Sequence, residues 1–355
     1  MKRLALTFAG ALMAAHSFAA QPGLDGIAGV AAAAKPGAGI AIAEITAPGS
    51  ARTVTIGEGL GRKSSFRTAS NTKTYTAATV MRLWEDGKID LDASIRKYVD
   101  PAYIALLEGD GYDTAKITVR HLLSHTGGLA DHAQTKQFLD TITNKPDTAW
   151  TRDSHMQALA SWTDPVAAPG VKYSYSDSGY ILLGGIVEKL TGQPLAQAVR
   201  TQLGFDRLGL SNTYWEIAEQ PGAYAGQRAH QHLNGHDTYS WNASLDLYGG
   251  GGLVASPEDM ARFVYMLLEG KVFKRPETLQ AMLSKEGLPA DSPYRLGIFE
   301  YDANGVKAYG HTGFWGTMAM YVPSQRRAIA FALTRQDTFK PTFEAVKAYV
   351  AASVR

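Results

Sequence analysis

A serine and a lysine lie one helical turn apart early in the chain, at Ser70 and Lys73. A serine hydroxyl is a weak nucleophile until a nearby base accepts its proton. Residues i and i+3 share one face of a helix, so Lys73 can reach Ser70 without a distant partner. The pair therefore predicts nucleophilic catalysis by serine.

The same spacing occurs a second time, at Ser94 and Lys97, so the pattern alone does not identify a nucleophile. Ser70 follows a predicted strand pair and opens a helix with an apolar face, whereas Ser94 lies in a polar connection. We interpret Ser94 and Lys97 as surface residues and Ser70 as the candidate.

A position at a helix N-terminus would help Ser70 in two ways. Unsatisfied main-chain N–H groups there can face a developing oxyanion, and the positive end of the helix dipole favours negative charge. Lys73 must be deprotonated to act as a base, which requires burial or neighbouring positive charge.

The elements that must position this pair come from both ends of the chain. Residues 37–45 and 53–60 are apolar and β-branched and predict a hairpin that opens the mature chain. Helical periodicity follows Ser70 and stops at Gly87. Near the C-terminus the patterns predict a helix over 256–270, strands over 294–301, 306–309, 317–322 and 328–334, and a helix over 339–354.

The middle of the chain has little strand signal, and helical patterns recur at 118–123, 180–190 and 195–203. We therefore predict an α/β fold in which an antiparallel sheet is flanked by helices and carries an inserted, mainly helical domain. The predicted sandwich domain comprises residues 20–88 and 246–355, and the helical domain comprises 89–245.

The N-terminus predicts export. Lys2 and Arg3 precede an apolar run over 4–15, and Ser17 and Ala19 supply small residues at a signal peptidase site. A membrane anchor is the alternative, but the run is shorter than the roughly 20 residues that a spanning helix needs. We interpret residues 1–19 as a signal peptide and expect a periplasmic or secreted protein without stable membrane insertion.

Composition excludes several kinds of function. Without Lys2 and Arg3, the basic residues equal the 33 acidic residues, so nothing indicates nucleic acid or an anionic membrane as a partner. The chain has 0 cysteines, which excludes disulfides, thiol catalysis and cysteine-ligated zinc. A small molecule or a peptide is the expected substrate.

Five stretches, in order, match one known family. Phe66 to Lys73 resembles the nucleophile motif of the serine β-lactamase-related family, which includes class C β-lactamases, D-Ala-D-Ala carboxypeptidases, D-aminopeptidases and β-lactamase-fold esterases. The other four stretches cover residues 117–129, 173–184, 250–263 and 311–313. The similarity thus extends over nearly the whole mature chain.

The resemblance implies roles for individual residues. It makes Ser70 the acylated nucleophile, Lys73 a proton acceptor and orienter, and Tyr175 the group that shuttles a proton between Ser70 and the leaving group. A phenol near a cationic lysine can have a depressed pKa, which suits that role.

The last matched stretch would lie on the strand beside the site. There the resemblance implies that His311, Thr312 and Gly313 flank the substrate, and that the N–H groups of Phe314 and Ser70 form the oxyanion hole. Removing one such donor typically costs about 10² to 10³ in rate.

Two residues depart from the family pattern. Asp177 stands where many members carry Asn, and an ionised carboxylate cannot donate a hydrogen bond to a substrate carbonyl, although it can accept one from Lys73 or a substrate amine. His311 stands where β-lactamases usually carry Lys, which would make it a weaker, pH-dependent cation for a substrate carboxylate. Both changes favour a peptidase or esterase over an efficient β-lactamase.

Metal chemistry is a weaker alternative. His230, His232 and His236 lie close to Asp237, and His121 and His125 have i, i+4 spacing, but neither set includes the glutamate of a zinc-protease motif. We predict no metal and no cofactor, and we expect His125 to anchor structure.

These observations predict an exported serine hydrolase that acts on an amide or ester carbonyl through an acyl-enzyme. A DD-peptidase, a D-amino-acid peptidase or an esterase fits best. A non-catalytic ligand-binding or regulatory protein of the same fold is the alternative, because Asp177 alters the site.

Overall fold

The structure is a computed structural model that describes residues 23–222 and 226–353. The predicted signal peptide, residues 1–19, lies outside the described residues. No helix of the described segments is both long enough and apolar enough to cross a membrane.

The main sheet has six antiparallel strands that come from both ends of the chain. Their order is β2-β1-β11-β10-β9-β8, and smaller sheets pair β3-β7-β4 and β5-β6. The strands are β1 (Ile40–Ile45), β2 (Arg52–Ile56), β3 (Phe66–Arg67), β4 (Thr213–Trp215), β5 (His232–Leu233), β6 (His236–Asp237), β7 (Leu253–Ala255), β8 (Phe299–Asp302), β9 (Lys307–Gly313), β10 (Thr317–Val322) and β11 (Arg327–Leu333).

Twelve α-helices occur in the described residues. They are α1 (Leu24–Ala34), α2 (Thr72–Glu85), α3 (Pro101–Gly109), α4 (Val119–Leu123), α5 (Lys136–Asn144), α6 (Arg152–Trp162), α7 (Asp177–Thr191), α8 (Leu195–Leu203), α9 (Phe205–Leu208), α10 (Pro257–Leu268), α11 (Pro276–Leu283) and α12 (Phe339–Ala352).

Helices cover both faces of the main sheet. Along β1, alternate side chains point to opposite faces, so Ile40 and Ile42 pack in one apolar cluster with α1 and α12. Ala43 and Ile45 pack on the other face with α10. The predicted fold class, an antiparallel sheet flanked by helices, is confirmed.

Helix α2 is buried along almost its whole length and carries the site at its N-terminal end. It packs against α7 and α8. Three buried threonines tie it to its surroundings and to its own main chain, because the hydroxyls of Thr74, Thr76 and Thr79 donate to the carbonyls of Gly297, Gly249 and Tyr75. A helix fixed in this way holds its first turn in one place.

Two predicted elements are wrong in detail. The hairpin is not the first element, because α1 precedes it and buries Leu24, Ile27, Ala28 and Ala31 on one helical face. Strand β8 begins at Phe299 rather than at 294, because the chain turns at Gly297, where φ is +89°. A Cβ at Gly297 would lie 2.0 Å from the Cβ of Ala77 on α2, so only glycine allows this approach.

Residues 89–245 contain helices α3 to α9 and the short strands β4, β5 and β6. Helices α4, α7 and α8 follow the predicted helical patterns closely. The division of the chain into two domains at residues 88 and 246 stays a prediction.

Candidate active site

Ser70 lies in the 3-10 turn Ala69–Asn71, directly before α2. Ala69 has φ +48°, a left-handed conformation that is uncommon for a residue with a side chain. The turn is held on one side by Thr68, whose N–H donates to the carbonyl of Leu253 at 2.9 Å. On the other side the Asn71 amide donates to Thr317 Oγ1 at 2.9 Å. Strands β7 and β10 therefore fix Ser70.

The end of β9 approaches this turn closely at Gly313. A Cβ on Gly313 would lie 2.2 Å from the carbonyl oxygen of Thr68, which is far inside van der Waals contact. The expected oxyanion donors, the N–H groups of Ser70 and Phe314, stand on the two segments that meet here. Among the described residues, no protein acceptor takes a hydrogen bond from the Phe314 N–H.

Lys73 is completely buried, and acceptors surround its ammonium. Nζ donates to Ser70 Oγ at 2.9 Å and to the Gly250 carbonyl at 2.7 Å. It also forms an ion pair with Asp177 Oδ1 at 2.5 Å. Two hydrogen-bond acceptors and one carboxylate oxygen thus surround Nζ, which favours the charged ammonium.

Asp177 is ionised in this arrangement. Burial alone would raise the pKa of its carboxyl, but the charge of Lys73 and a hydrogen bond from it lower the pKa below the ordinary value. Asp177 thus forms an ion pair with Lys73 and neutralises the lysine charge next to the serine.

Tyr175 stands beside both residues. Lys73 Nζ lies 5.1 Å from the centre of its ring, and Tyr175 and Ser70 line the same cavity. The expected depressed pKa is wrong. Burial, and after it the negative charge of Asp177, raise the pKa of Tyr175 well above its ordinary value. The phenol therefore carries its proton in the resting site.

His311 does not act as a cation for a substrate carboxylate, which corrects the prediction made for it. Its side chain is buried behind the site, where Nδ1 donates to the Thr312 carbonyl at 2.7 Å and Nε2 accepts from Tyr294 Oη at 2.9 Å. Burial, and after it the charge of Lys73, lower the pKa of His311 to about 3. The imidazole is therefore neutral at physiological pH.

A cavity of about 430 Å³ opens in front of Ser70. Its lining contains Ser70, Tyr175, Asp177 and Phe314 of the predicted site residues, while Thr312 lies half-buried on β9. The lining also contains residues that the sequence reasoning missed: Asp131, Ala133, Gln134, Phe138, Leu139, Leu245 and Asp246. Among the described residues, this lining holds three carboxyl groups and no lysine, arginine or histidine.

The two additional acids are strongly perturbed. Burial, and after it the charge of Asp177, raise the pKa of Asp131 to about 7 and that of Asp246 to about 7. Three carboxyl groups share one cavity, so each ionisation opposes the next. A cation that entered the cavity would favour the ionised form of these carboxyl groups.

Sequence signals for these acids existed. Asp131 follows the matched stretch 117–129 by two residues, and Asp246 precedes the matched stretch at Gly250 by four. Asp246 also explains a glycine in that stretch, because a Cβ on Gly251 would lie 2.0 Å from its Oδ1. Proximity to matched segments would have identified both acids as candidates.

The residues set aside from the site have structural partners. Ser94 caps a 3-10 turn by accepting from the Arg96 N–H, and Lys97 is exposed. His121 accepts from the Thr118 N–H at the start of α4. His125 accepts from the Ser176 N–H and lies 4.3 Å from the Tyr175 ring between centroids. These contacts explain the residues without a metal or a second nucleophile.

Solved structures share this fold. A D-stereospecific amidohydrolase from Streptomyces sp. superimposes with a TM-score of 0.78 at 24% identity, covering 92% of this chain and 98% of the other. D-amino acid amidase from Ochrobactrum anthropi SV3 gives a TM-score of 0.75 at 22% identity, with 92% and 99% covered.

Sequence comparison identifies the family. A putative D-alanyl-D-alanine carboxypeptidase from Salmonella typhi is 26% identical over 302 residues, covering 74% of this chain and 67% of that protein. The sequence model of the beta-lactamase family matches residues 21–352. The chain therefore belongs to the beta-lactamase family and is a hydrolase with the β-lactamase fold.

Proposed function

We propose that this protein is an exported serine amidohydrolase, acylated at Ser70, whose substrates carry a free ammonium group close to the scissile carbonyl. The observation that carries the proposal is the cavity lining, in which Asp131, Asp177 and Asp246 face one space without a basic residue. A substrate carboxylate would meet like charge there, whereas an ammonium would be attracted.

The neutral His311 supports the same choice. A substrate with a free carboxylate, such as a β-lactam or a D-Ala-D-Ala peptide, needs a cation beside the scissile bond. His311 carries no charge at physiological pH, and Lys73 is already paired with Asp177. An amide or a short peptide with a free amino terminus avoids this conflict.

Apolar groups complete the proposed substrate. Phe314 and Leu139 are 42% and 39% exposed at the cavity, which is unusual for large apolar side chains and suits an apolar substrate group. Two proteins of this fold are a D-stereospecific amidohydrolase and a D-amino acid amidase, which supports the D configuration. Amides of apolar D-amino acids are thus the proposed substrate class.

The proposed chemistry follows from the resting protonation states. Ser70 Oγ attacks the carbonyl carbon and gives its proton to Tyr175 Oη while the phenol proton passes to the leaving nitrogen. The C–N bond breaks, the amine leaves, and an ester forms on Ser70. Water then reverses the relay and releases the acid, while the Lys73 ammonium stabilises charge that develops on the serine oxygen.

Substrate binding would also prepare the tyrosine. The carboxylates of Asp177 and Asp131 raise the pKa of Tyr175, after the larger effect of burial. An ammonium bound among these acids offsets their charge, lowers the pKa of Tyr175 and makes release of the phenol proton to the leaving nitrogen easier. An amine-bearing substrate would therefore improve the chemical step as well as binding.

The test compares three substrates: D-phenylalanine p-nitroanilide, L-phenylalanine p-nitroanilide and 3-phenylpropionyl p-nitroanilide. The third compound lacks the amine. We expect kcat/KM for the D-phenylalanine compound to exceed that for 3-phenylpropionyl by about 10²-fold or more, because unpaired acids reject the analogue. Ser70→Ala should abolish turnover, and Ser94→Ala, in the second Ser-x-x-Lys sequence, should not change it. Equal rates with and without the amine would refute the proposed substrate class.

A non-catalytic binding role is the second candidate. The observation in its favour is the Lys73–Asp177 ion pair, which leaves Ser70 without a free base in the resting site. Labelling with a fluorophosphonate distinguishes the two. Labelling that Ser70→Ala removes supports the enzyme, and a folded protein that neither labels nor turns over any of the three anilides supports the binding role.

A further inference from the structure

Two buried histidines lie directly behind the three acids of the cavity. His132 and His155 are 1% and 2% exposed, and His132 Nε2 lies 2.8 Å from His155 Nδ1. His132 Nδ1 lies 2.8 Å from Ser178 Oγ, and His155 Nε2 lies 3.3 Å from the Ser244 carbonyl. Four residues that are distant in sequence thus form one continuous hydrogen-bonded chain.

Geometry fixes the direction of every proton in this chain. A carbonyl only accepts, so His155 Nε2 carries a proton and donates to Ser244. With a neutral ring, His155 Nδ1 then accepts from His132 Nε2. His132 Nδ1 in turn accepts from the Ser178 hydroxyl. Burial, and after it the neighbouring histidine, lower the pKa of His132 to about 3, and burial lowers that of His155 to about 4, so both rings are neutral.

Three members of this hydrogen-bonded series, the two at its ends and one in its middle, each lie next to one of the acids in sequence. Ser178 follows Asp177 in the first turn of α7, and His132 follows Asp131 in the 3-10 turn His132–Gln134. The Ser244 carbonyl is two residues from Asp246, in the 3-10 turn Ala243–Asp246. Three separate segments therefore deliver the three carboxyl groups, and the histidine pair joins these segments.

Aromatic packing keeps the rings in place. His155 stacks on Trp150 with 4.9 Å between ring centres and a 20° interplanar angle, and His132 meets the edge of Phe138. The charged groups that act on the pair are Asp177, Lys73 and Arg152. The pair itself contributes no charge, so its effect on the cavity is one of position.

We propose that His132 and His155 are positioning residues that set the spacing of Asp131, Asp177 and Asp246 and so determine the selectivity for an amine-bearing substrate. This inference rests on the proposed function. The pair touches no reacting atom; it acts through the three acids. A displacement of about 1 Å in a binding group can cost about 10²-fold in rate, so small shifts of these segments are sufficient.

Two variants test the inference. Ser178→Ala removes the first hydrogen-bond donor, and alanine is well tolerated in a helix. His155→Phe retains a ring on Trp150 but removes both of its hydrogen bonds. His230→Phe is the matched control, because His230 also stacks on an aromatic ring, that of Tyr239, but is exposed and makes no contact with the pair.

The readout is the ratio of kcat/KM for D-phenylalanine p-nitroanilide to kcat/KM for 3-phenylpropionyl p-nitroanilide. We expect Ser178→Ala and His155→Phe to lower this ratio by about tenfold, with the rate on 3-phenylpropionyl held within about twofold. The control should retain the wild-type ratio. Thermal unfolding confirms that each variant is folded, and Ser178→Ala alone decides if His155→Phe does not fold.

Three outcomes overturn the inference. An unchanged ratio in the folded variants shows that the pair does not position the acids. A proportional fall on both substrates shows a structural role only. A wild-type protein without any preference for the amine refutes the proposed function and this inference with it, whereas a preference that survives both substitutions refutes this inference alone.

Discussion

The ammonium of Lys73 lies 2.5 Å from the carboxylate of Asp177 and 2.9 Å from the hydroxyl of Ser70. One buried cation thus connects the proposed nucleophile to the acid that departs from the family pattern. Because Asp177 neutralises Lys73, the charge that remains in the cavity is that of the two further acids. Above about pH 7 these two acids are ionised, and the ammonium of the proposed substrate would offset their charge.

Replacing Asp177 by asparagine should change substrate preference and stability together. Loss of the carboxylate leaves Lys73 buried without its ion pair, which costs about 3 to 5 kcal/mol. The activity ratio of D-phenylalanine p-nitroanilide to nitrocefin should fall by about tenfold, because the cavity loses one acid. Urea unfolding and the two rates measure these effects.

The control for this change is Asp113→Asn, since Asp113 pairs with Lys116 at the surface, outside the cavity. We expect the control to leave the activity ratio and the unfolding midpoint unchanged. An Asp177→Asn variant with wild-type preference would contradict the role assigned to this acid.

Replacing Gly313 by alanine should disable the site through the main chain. The new methyl would lie 2.2 Å from the Thr68 carbonyl, so β9 must move away from the Ser70 turn. We expect kcat to fall by about 10²-fold or more, since the N–H groups of the oxyanion hole stabilise the oxyanion only when they point at it. In Gly109→Ala, whose added methyl would meet nothing within 4 Å, kcat should not change. Normal activity in Gly313→Ala would exclude the proposed oxyanion hole.

Asp246 should make the protein less stable as pH rises. Its folded pKa of about 7 exceeds that of an unfolded aspartate, so the folded state retains a proton that the unfolded chain has lost. The contribution of this carboxyl to the free energy of unfolding is fully present below about pH 4 and is lost as pH rises through about 7. Asp246→Asn should therefore raise Tm relative to wild type at pH 8 and change it little at pH 4. The opposite pH dependence would contradict the assignment.

His311 should remain neutral through the physiological range. Because its folded pKa of about 3 lies below the unfolded value, stability from this group is present above about pH 6.5 and is lost as pH falls toward 3. Histidine NMR spectra, assigned by comparison with His311→Gln, should show no titration of this ring between pH 5 and 8. A midpoint near 6.5 would restore His311 as a candidate cation.

Local patterns in the sequence were sufficient for much of the fold. Helix α8 and strand β10 have the predicted bounds, and α2 follows Ser70 as expected, because periodic burial and clear breakers determine each of them. Helix α1 was missed because alanine and glycine give little periodic contrast. Strand β8 was placed too early because Gly297 turns to meet α2, a contact made between distant parts of the chain.

The electrostatics of the site could not be predicted from the motifs. Tyr175 and His311 stand in the expected matched stretches, but their protonation depends on burial and on Asp177, which only the folded chain brings together. Asp131 and Asp246 likewise come from separate segments that only folding brings to one cavity. Motifs indicated the reaction type, whereas the tertiary arrangement of charge indicates the proposed substrate.

Acylation of Ser70 that depends on a substrate amine is tested most directly by the rate at which two p-nitrophenyl esters, differing only in the ammonium group, acylate this residue. D-phenylalanine p-nitrophenyl ester and its 3-phenylpropionyl analogue would be mixed with the protein, quenched rapidly and analysed by mass spectrometry. We expect an adduct that maps to Ser70, is absent in Ser70→Ala and forms about 10²-fold faster with the amine-bearing ester. Acylation at another residue, or equal rates for the two esters, would contradict the proposed function.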